Sequence, residues 1–331
     1  MFAAHIYAPR KIHLVEVPEP VLGPIPDDPV GQGEIIFQPE LGCLCGSDLP
    51  YFDGQEPEYP AEVGQSLHEI IGRVVATNGT RFQPGDRVLC IPVNHFGFFE
   101  RFRVSQQRAI PIDPRASDEE AVLAQPLGTV LCAMRKLPPV LGWNVAVVGQ
   151  GPIGQIFNAV LRNLGAKEII ALDRIPERLD MSLRMGATAT IHVDKEDPVE
   201  RVRDVTEGRM ADLVIEAVGH RDQVFNLCIA LCRERGEILF FGVPPTYLEG
   251  LRWRELFWKN IRVTTSLGPD FQIDFPLAMR WVAEKRVDLR PLVTHRFPVE
   301  RVQDAFETFV DRKDGALKVL LEFPCYKEKR A

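Results

Sequence analysis

Two groups of residues in this sequence have types and spacings that can do chemistry. The first is Cys43, Cys45, Asp48, His68 and Glu69. Thiolate and imidazole together suit Zn²⁺, and neighbouring carboxylates can complete or orient its coordination. On composition alone a structural role suits them too, with Cys43 and Cys45 as buried thiols and His68 as a satisfied core histidine. The second group is Gly149, Gln150, Gly151, Pro152, Ile153 and Gly154, a G-x-G-x-x-G turn. Glycine at 149 permits the tight turn. At 151 it lets backbone approach a pyrophosphate, and at 154 it lets helix and strand pack closely. The helix opened by Pro152 and Ile153 presents free N–H groups and a partial positive charge, which suit a diphosphate.

That turn needs flanking elements in register, and the sequence supplies them. Residues 145–148 are a short apolar, β-branched run, right for a buried parallel strand. Ile153, Ile156, Phe157, Val160, Leu161 and Leu164 recur at helical spacing, and Gly165 is placed to end the helix. Residues 169–172 form a second apolar strand, ending on Asp173 roughly 20 residues after the last glycine. A carboxylate there accepts hydrogen bonds from an adenosine ribose and repels a 2′-phosphate, which favours NAD over NADP. Arg174 works the other way, since a guanidinium there can hold a 2′-phosphate. A glycine turn without ligand is the competing reading, and strand, turn, helix, strand and acid in register argue against it.

The remaining elements follow from period and punctuation. Residues 1–120 are rich in strands and turns, with few helical periods, and read as a partly closed β-barrel. Residues 118–137 turn helical, with Ser117 as N-cap and Glu120 three residues on. Strands and helices then alternate, the signature of an α/β doubly wound parallel sheet. After Gly268 come a helix over 275–285, a strand over 294–297, a helix over 299–312 and a strand over 318–323. These complete the first domain. The expected domains are 1–120 (catalytic), 121–268 (dinucleotide-binding) and 269–331 (return to the catalytic domain). A net charge of −7 argues against nucleic-acid or anionic-membrane partners. No apolar run approaches the ~18 residues of a membrane span, and the N-terminus is too polar for a secretory signal. Seven cysteines without framework spacing fit free thiols in a reducing compartment, so a cytoplasmic location is expected.

In order along the chain, GCLCGSDL at 42–49, SLHEIIGRV at 66–74, PGDRV at 84–88, GFFERF at 97–102 and AQPLGTVLCAM at 124–134 are followed by VVGQGPIGQ at 147–155, VIEAVG at 214–219, GEILFFGVP at 236–244, TSLG at 265–268 and KVLLEF at 318–323. Across nearly its whole length the sequence resembles the zinc-dependent medium-chain alcohol and polyol dehydrogenases. The resemblance implies a GroES-like catalytic domain beside a Rossmann cofactor domain. It implies one catalytic zinc, held by Cys45 and His68, with Glu69 and Gln125 completing the set as in sugar dehydrogenases that also read A-Q-P-L. Gln125 departs from the Cys or Glu usual at that position. The family's four-cysteine lobe between PGDRV and GFFERF is reduced to residues 89–96, with Cys90 alone, so no structural zinc is expected.

The resemblance also implies roles. Ser47 takes the proton of the substrate alcohol and passes it on through the cofactor ribose, while Asp48 orients His68. Thr129 and Val243 flank the nicotinamide, Val218 and Gly219 border the adenosine side, and Arg178 covers the ribose edge. Ser266 and Leu267 meet the carboxamide, and Lys318 lies near the pyrophosphate. Arg178 and Lys318 are alternatively solvated surface charges. Tyr51, Phe52, Phe96, Phe98 and Trp253 are pocket candidates, while Trp258 and Trp281 are assigned to packing. Many relatives carry a proton-relay histidine shortly after CGSD; here Pro50 and Tyr51 follow, and His95 is not assigned that role. Residues 261–266 resemble the edge strand through which family members pair, so a homodimer or homotetramer is expected. The implied activity is hydride transfer between NAD(H) and a secondary alcohol or ketone of a polyol, sugar or related metabolite. A zinc-free NAD(P)H reductase of the same fold and a non-catalytic nicotinamide-binding protein are the alternatives. Cys45 and His68 argue against the first, and the intact Cys45, Ser47, His68 set against the second.

Overall fold

A computed structural model describes residues 1–54, 60–219 and 222–326 and divides the chain into two units. The first comprises Met1–Gly128, Asp270–Lys285 and Arg290–Ala331; the second comprises Thr129–Pro269 and Arg286–Leu289. In chain order the first holds β1 (Phe2–Ala8), β2 (Lys11–Glu16), β3 (Glu34–Cys43), α1 (Leu49–Asp53), β4 (Glu69–Thr77), β5 (Arg87–Cys90), β6 (Phe102–Ser105) and β7 (Ala109–Pro111). Helix α2 (Asp118–Arg135) carries the chain into the second unit after Gly128, later than the expected break at 120, because one uninterrupted helix spans that break. There follow β8 (Asn144–Val148), α3 (Pro152–Asn163), β9 (Glu168–Asp173), α4 (Pro176–Arg184), β10 (Ala189–His192), α5 (Pro198–Val205), β11 (Ala211–Glu216), α6 (Asp222–Leu231), β12 (Cys232–Phe240), α7 (Trp253–Trp258) and β13 (Arg262–Thr265). The chain then returns with α8 (Asp274–Ala283), β14 (Val293–Pro298), α9 (Val302–Val310) and β15 (Lys318–Glu322).

In the first unit, β1 and β2 pair antiparallel, and a seven-stranded sheet runs β14-β15-β3-β4-β5-β7, with β6 also on β3. Phe37, Ile70, Val88, Phe98, Phe306 and Val319 share its core. Pro39 lies inside β3, where a proline cannot donate to a ladder. The register with β4 shifts between Pro39 and Leu41, which accommodates the missing N–H. Beyond the shift β3 runs on to Cys43, paired with Glu69 on one side and Leu320 on the other. The sheet therefore brings the ends of β3 and β4 and the body of β15 to one place.

The second unit is a six-stranded parallel sheet, β10-β9-β8-β11-β12-β13. Its central strands β8 and β9 are mostly apolar, as burial on both faces requires, and Val148, Ile170, Leu172, Val214 and Ile238 lie in its core. Strand order reverses between β8 and β11, so the loops after these two strands flank the crevice where such sheets bind nucleotides. β13 pairs with β12 alone among the described residues and forms one edge. All seven cysteines are free thiols. Among the described residues no helix is long and apolar enough to cross a membrane.

Candidate active site

Cys45 and His68 sit on the loops that leave β3 and lead into β4, and Glu69 opens β4 itself. Ligand atoms of Cys45, His68 and Glu69 all lie within 4.8 Å of one another. His68 is buried, and its Nδ1 has no hydrogen-bond partner; the buried Ser47 Oγ also lacks one. An unsatisfied buried polar atom costs about 1–3 kcal/mol, so two of them beside a converging thiol, imidazole and carboxylate fit a site built for a metal and a polar substrate. Cys43 is not part of it. Its thiol is fully buried, contacts the Leu44 carbonyl at 3.7 Å, and burial pushes its pKa well up.

Asp48 holds the two loops together. Its Oδ2 accepts from Cys45 N at 2.8 Å, and its Oδ1 accepts from Ser66 Oγ at 2.8 Å and Leu67 N at 2.9 Å. These bonds go to the backbone and hydroxyl around the ligands. The expectation that Asp48 orients the His68 ring directly is replaced by this role. Ser66 and Leu67 both have positive φ, 94° and 68°. Two consecutive side-chain-bearing residues in that region cost on the order of 1–3 kcal/mol each, and the Asp48 bonds hold them there.

Glu69 has a second partner. Lys318 Nζ, fully buried on β15, donates to both its oxygens at 2.5 and 2.6 Å and to the Leu44 carbonyl at 3.4 Å. Burial pushes the Glu69 carboxyl up to about 8, against the pull of Lys318. Burial disfavours the Lys318 charge, but the pairing with Glu69 outweighs it and the Lys318 pKa is raised. A buried ammonium needs a paired acceptor, and Glu69 accounts for this one. Lys318 is thus neither a solvated surface charge nor, in this arrangement, free for a pyrophosphate. Gln125 is buried on α2.

The nucleotide-turn residues meet in the second unit. Gly149 has φ 94°, and a Cβ there would fall 2.7 Å from Val218 Cγ2; a Cβ on Gly154 would fall 2.0 Å from the Gly149 carbonyl. At Gly151 the nearest atom would be Arg178 Nη1 at 3.9 Å. The first and third glycines are therefore required by packing, whereas the space over the second is open. Gly151 caps α3 without a side-chain hydrogen bond, and Pro152 follows, leaving first-turn N–H groups for an anion. Asp173 Oδ2 accepts from Gln150 N at 2.6 Å and lies 3.8 Å from Arg178 Nη1; its Oδ1 accepts from Arg174 N and Ile175 N at 2.7 and 3.0 Å. Arg174 is turned to Asp194 at 3.0 Å. Val218, Val243 and Leu267 are exposed, Thr129 and Ser266 half-buried, and Gly219 buried with φ 67°.

Two residues without an assigned role emerge. Glu216, buried at the end of β11, accepts from Val218 N at 3.0 Å, Gly219 N at 2.9 Å and Gly242 N at 3.2 Å. It shapes both loops that carry the Val218, Gly219 and Val243 candidates. Its signal was an acid directly after the buried apolar run Leu213, Val214 and Ile215. The other is His95, whose ring lies 4.4 Å from that of His68, with ligand atoms of Asp48, His68 and His95 all within 4.8 Å of one another. Burial and the charge of His68 lower its pKa, while Asp48 acts the other way.

Of the pocket candidates, Phe52 and Phe98 are fully buried against Phe306 in the core, whereas Tyr51 and Phe96 are half-buried. Trp253 and Trp258 are 62% and 67% exposed, so Trp258 does not pack inside as expected, while Trp281 does.

Residues 31–111 match the model of the alcohol dehydrogenase GroES-like domain, and residues 152–284 that of the zinc-binding dehydrogenase. The chain is 27% identical to a sorbitol dehydrogenase of Bacillus subtilis (strain 168), over 97% of each chain. It is also 27% identical to an L-threonine 3-dehydrogenase of the same organism, over 91% of this chain and 94% of the other. Among solved structures, an alcohol dehydrogenase from Thermus sp. ATN1 superposes with a TM-score of 0.84 at 29% identity, covering 98% of this chain and all of the other.

Proposed function

Because this chain belongs to the zinc-dependent medium-chain alcohol and polyol dehydrogenases, with a GroES-like and a Rossmann domain, we propose that it transfers hydride between NAD and a secondary alcohol of a polyol or sugar-like metabolite, using one zinc. The convergence of Cys45, His68 and Glu69, with His68 Nδ1 and Ser47 Oγ unpartnered, carries this reading. Bound zinc supplies Lewis acidity to the substrate oxygen, and bound NAD supplies the hydride acceptor. Cys45 and His68 would hold the metal, with Glu69 and Gln125 completing the set. Ser47 Oγ is free to accept the substrate's hydroxyl proton. Asp48 fixes both ligand loops. The α3 N-terminus and Gly151 would receive the pyrophosphate, and Asp173 and Arg178 the adenosine ribose. Thr129, Val218, Gly219, Val243, Ser266 and Leu267 would border the rest of the cofactor.

The seven free thiols support a cytoplasmic location, and the β13 edge supports a homodimer or homotetramer. The Glu69–Lys318 pair favours a second reading, a zinc-free reductase, since it occupies one proposed ligand. Metal analysis and turnover decide between them. We expect about one zinc per chain, NAD-linked oxidation of polyols, and loss of both in Cys45→Ala. Active protein without zinc would establish the second reading, and zinc-loaded protein without turnover on any alcohol would overturn the first. Asp173→Ala should raise the NADP-to-NAD ratio of kcat/KM at least about tenfold, by removing the charge that repels a 2′-phosphate.

A further inference from the structure

We propose that His95 binds a second oxygen of the substrate and makes the site selective for polyols over simple secondary alcohols. This rests on the dehydrogenase reading and deepens it. His95 does not belong to the Cys45, His68 and Glu69 group, yet its ring lies 4.4 Å from His68 at a tilt of 31°. On another side the Tyr51 ring approaches it edge-on at 6.1 Å. The side chain is therefore held beside His68, outside the Cys45, His68 and Glu69 set.

Its hydrogen-bonding capacity is unused. Nδ1 of His95 is buried and has no partner, and no protein group among the described residues bonds the ring. Asp48, whose carboxylate lies within 4.8 Å of the ring, already takes bonds from Cys45 N, Ser66 Oγ and Leu67 N. A buried imidazole nitrogen without a partner in a folded protein points to a ligand that supplies one.

The backbone is shaped to put it there. Asn94 and His95 both adopt positive φ, 49° and 62°. The segment is tied to the other histidine's loop, since Ser66 bridges Phe96 and Gly97 N donates to Ser66 O at 3.3 Å. Strained left-handed residues thus flank both histidines and fix one against the other. Ser47 Oγ, on the loop between Cys45 and Asp48, and His95 Nδ1, beside His68, are then two unfilled groups. One can serve the reacting hydroxyl and the other an oxygen on the neighbouring carbon. A substrate with a lone hydroxyl would leave His95 unsatisfied, and a site built to bond an oxygen discriminates against the analogue lacking it.

The test compares wild type with His95→Phe, which keeps a ring against His68, and with His95→Gln, which keeps a donor. The substrates are a polyol the wild type oxidises, chosen from 2,3-butanediol, threitol and sorbitol, and its analogue lacking the hydroxyl beside the oxidised carbon. The ratio of kcat/KM for polyol over analogue should fall about 10- to 100-fold in His95→Phe, mainly through KM, and recover in part in His95→Gln. Zinc per chain should stay at the wild-type value. An unmoved ratio, whether or not both rates fall, overturns the proposal, as does zinc loss in His95→Phe, which would make His95 a ligand. Wild-type protein that oxidises only the mono-alcohols overturns it too. If the wild type oxidises no alcohol at all, the dehydrogenase reading itself fails.

Discussion

Asp48 makes no bond to the imidazole it was expected to orient, yet the ligand geometry depends on it. Three donors converge on its carboxylate, from residues on both loops. Asp48→Ala leaves Cys45 N, Leu67 N and Ser66 Oγ without their acceptor next to two strained residues. Hydrogen bonds to a charged group contribute about 1.5–3 kcal/mol each, with losses that do not add fully. We expect a loss of about 3 kcal/mol in denaturant unfolding and a 10- to 100-fold weaker zinc affinity, with Asp48→Asn intermediate. Unchanged zinc affinity in Asp48→Ala would remove Asp48 from the site. The sequence named Cys45, His68 and Glu69 together by residue type, and their ligand atoms do lie within 4.8 Å of one another. The partners of Asp48 were not legible, because its bonds to Ser66 and Leu67 span 18 and 19 residues and depend on how two loops fold back. Lys318 was misplaced for the same reason. Its partner Glu69 is 249 positions away, and only the β15-β3-β4 register brings them together.

At the scale of the element, local signals were the most readable. Ser117 and Glu120 form the reciprocal cap their spacing suggests: Ser117 N donates to Glu120 Oε2 at 2.8 Å, and Glu120 N to Ser117 Oγ at 3.3 Å. Lys285 Nζ adds a bond at 2.5 Å from the end of α8, which no local pattern foretells. Longer-range register explains the misreadings. β12 starts at Cys232, with a register shift against β11 and a left-handed Arg235 near its start. α9 starts at Val302, since residues 299–301 form a 3₁₀ turn. Burial raises the Glu120 pKa, but its bonds to Lys285 and Ser117 outweigh this and hold it below 4.5 in the folded protein. Its contribution is therefore fully present above pH 4.5 and lost as pH falls through the lowered value. Ser117→Ala should cost about 1 kcal/mol at pH 7. Glu120→Gln should be destabilised relative to wild type at pH 7, with the gap closing in urea titrations as pH falls below 4.5. A gap that is constant with pH would mean that the ionised carboxylate does not matter.

At the scale of the whole molecule, the first unit is discontinuous in sequence. β14 and β15 continue the sheet begun by β3, so the last part of the chain must return to the first unit. What composition conceals is which apolar residues stay outside. Val263 on the edge strand β13 is 42% exposed, and α7 carries the exposed Trp253, Phe257 and Trp258. A strand edge presents unpaired backbone groups, and monomers rarely leave such edges and large aromatics uncovered. Pairing of β13 with its counterpart in a second copy would satisfy the edge by a two-fold interface. Charges along that strand should then be incompatible with assembly. We expect wild type to run at a multiple of the 37.3 kDa chain mass in light scattering, and a Val263→Lys, Thr265→Lys double variant to run as a monomer with zinc content intact. A variant that keeps the wild-type mass would place the subunit interface elsewhere, and a monomeric wild type would leave the β13 edge open to solvent.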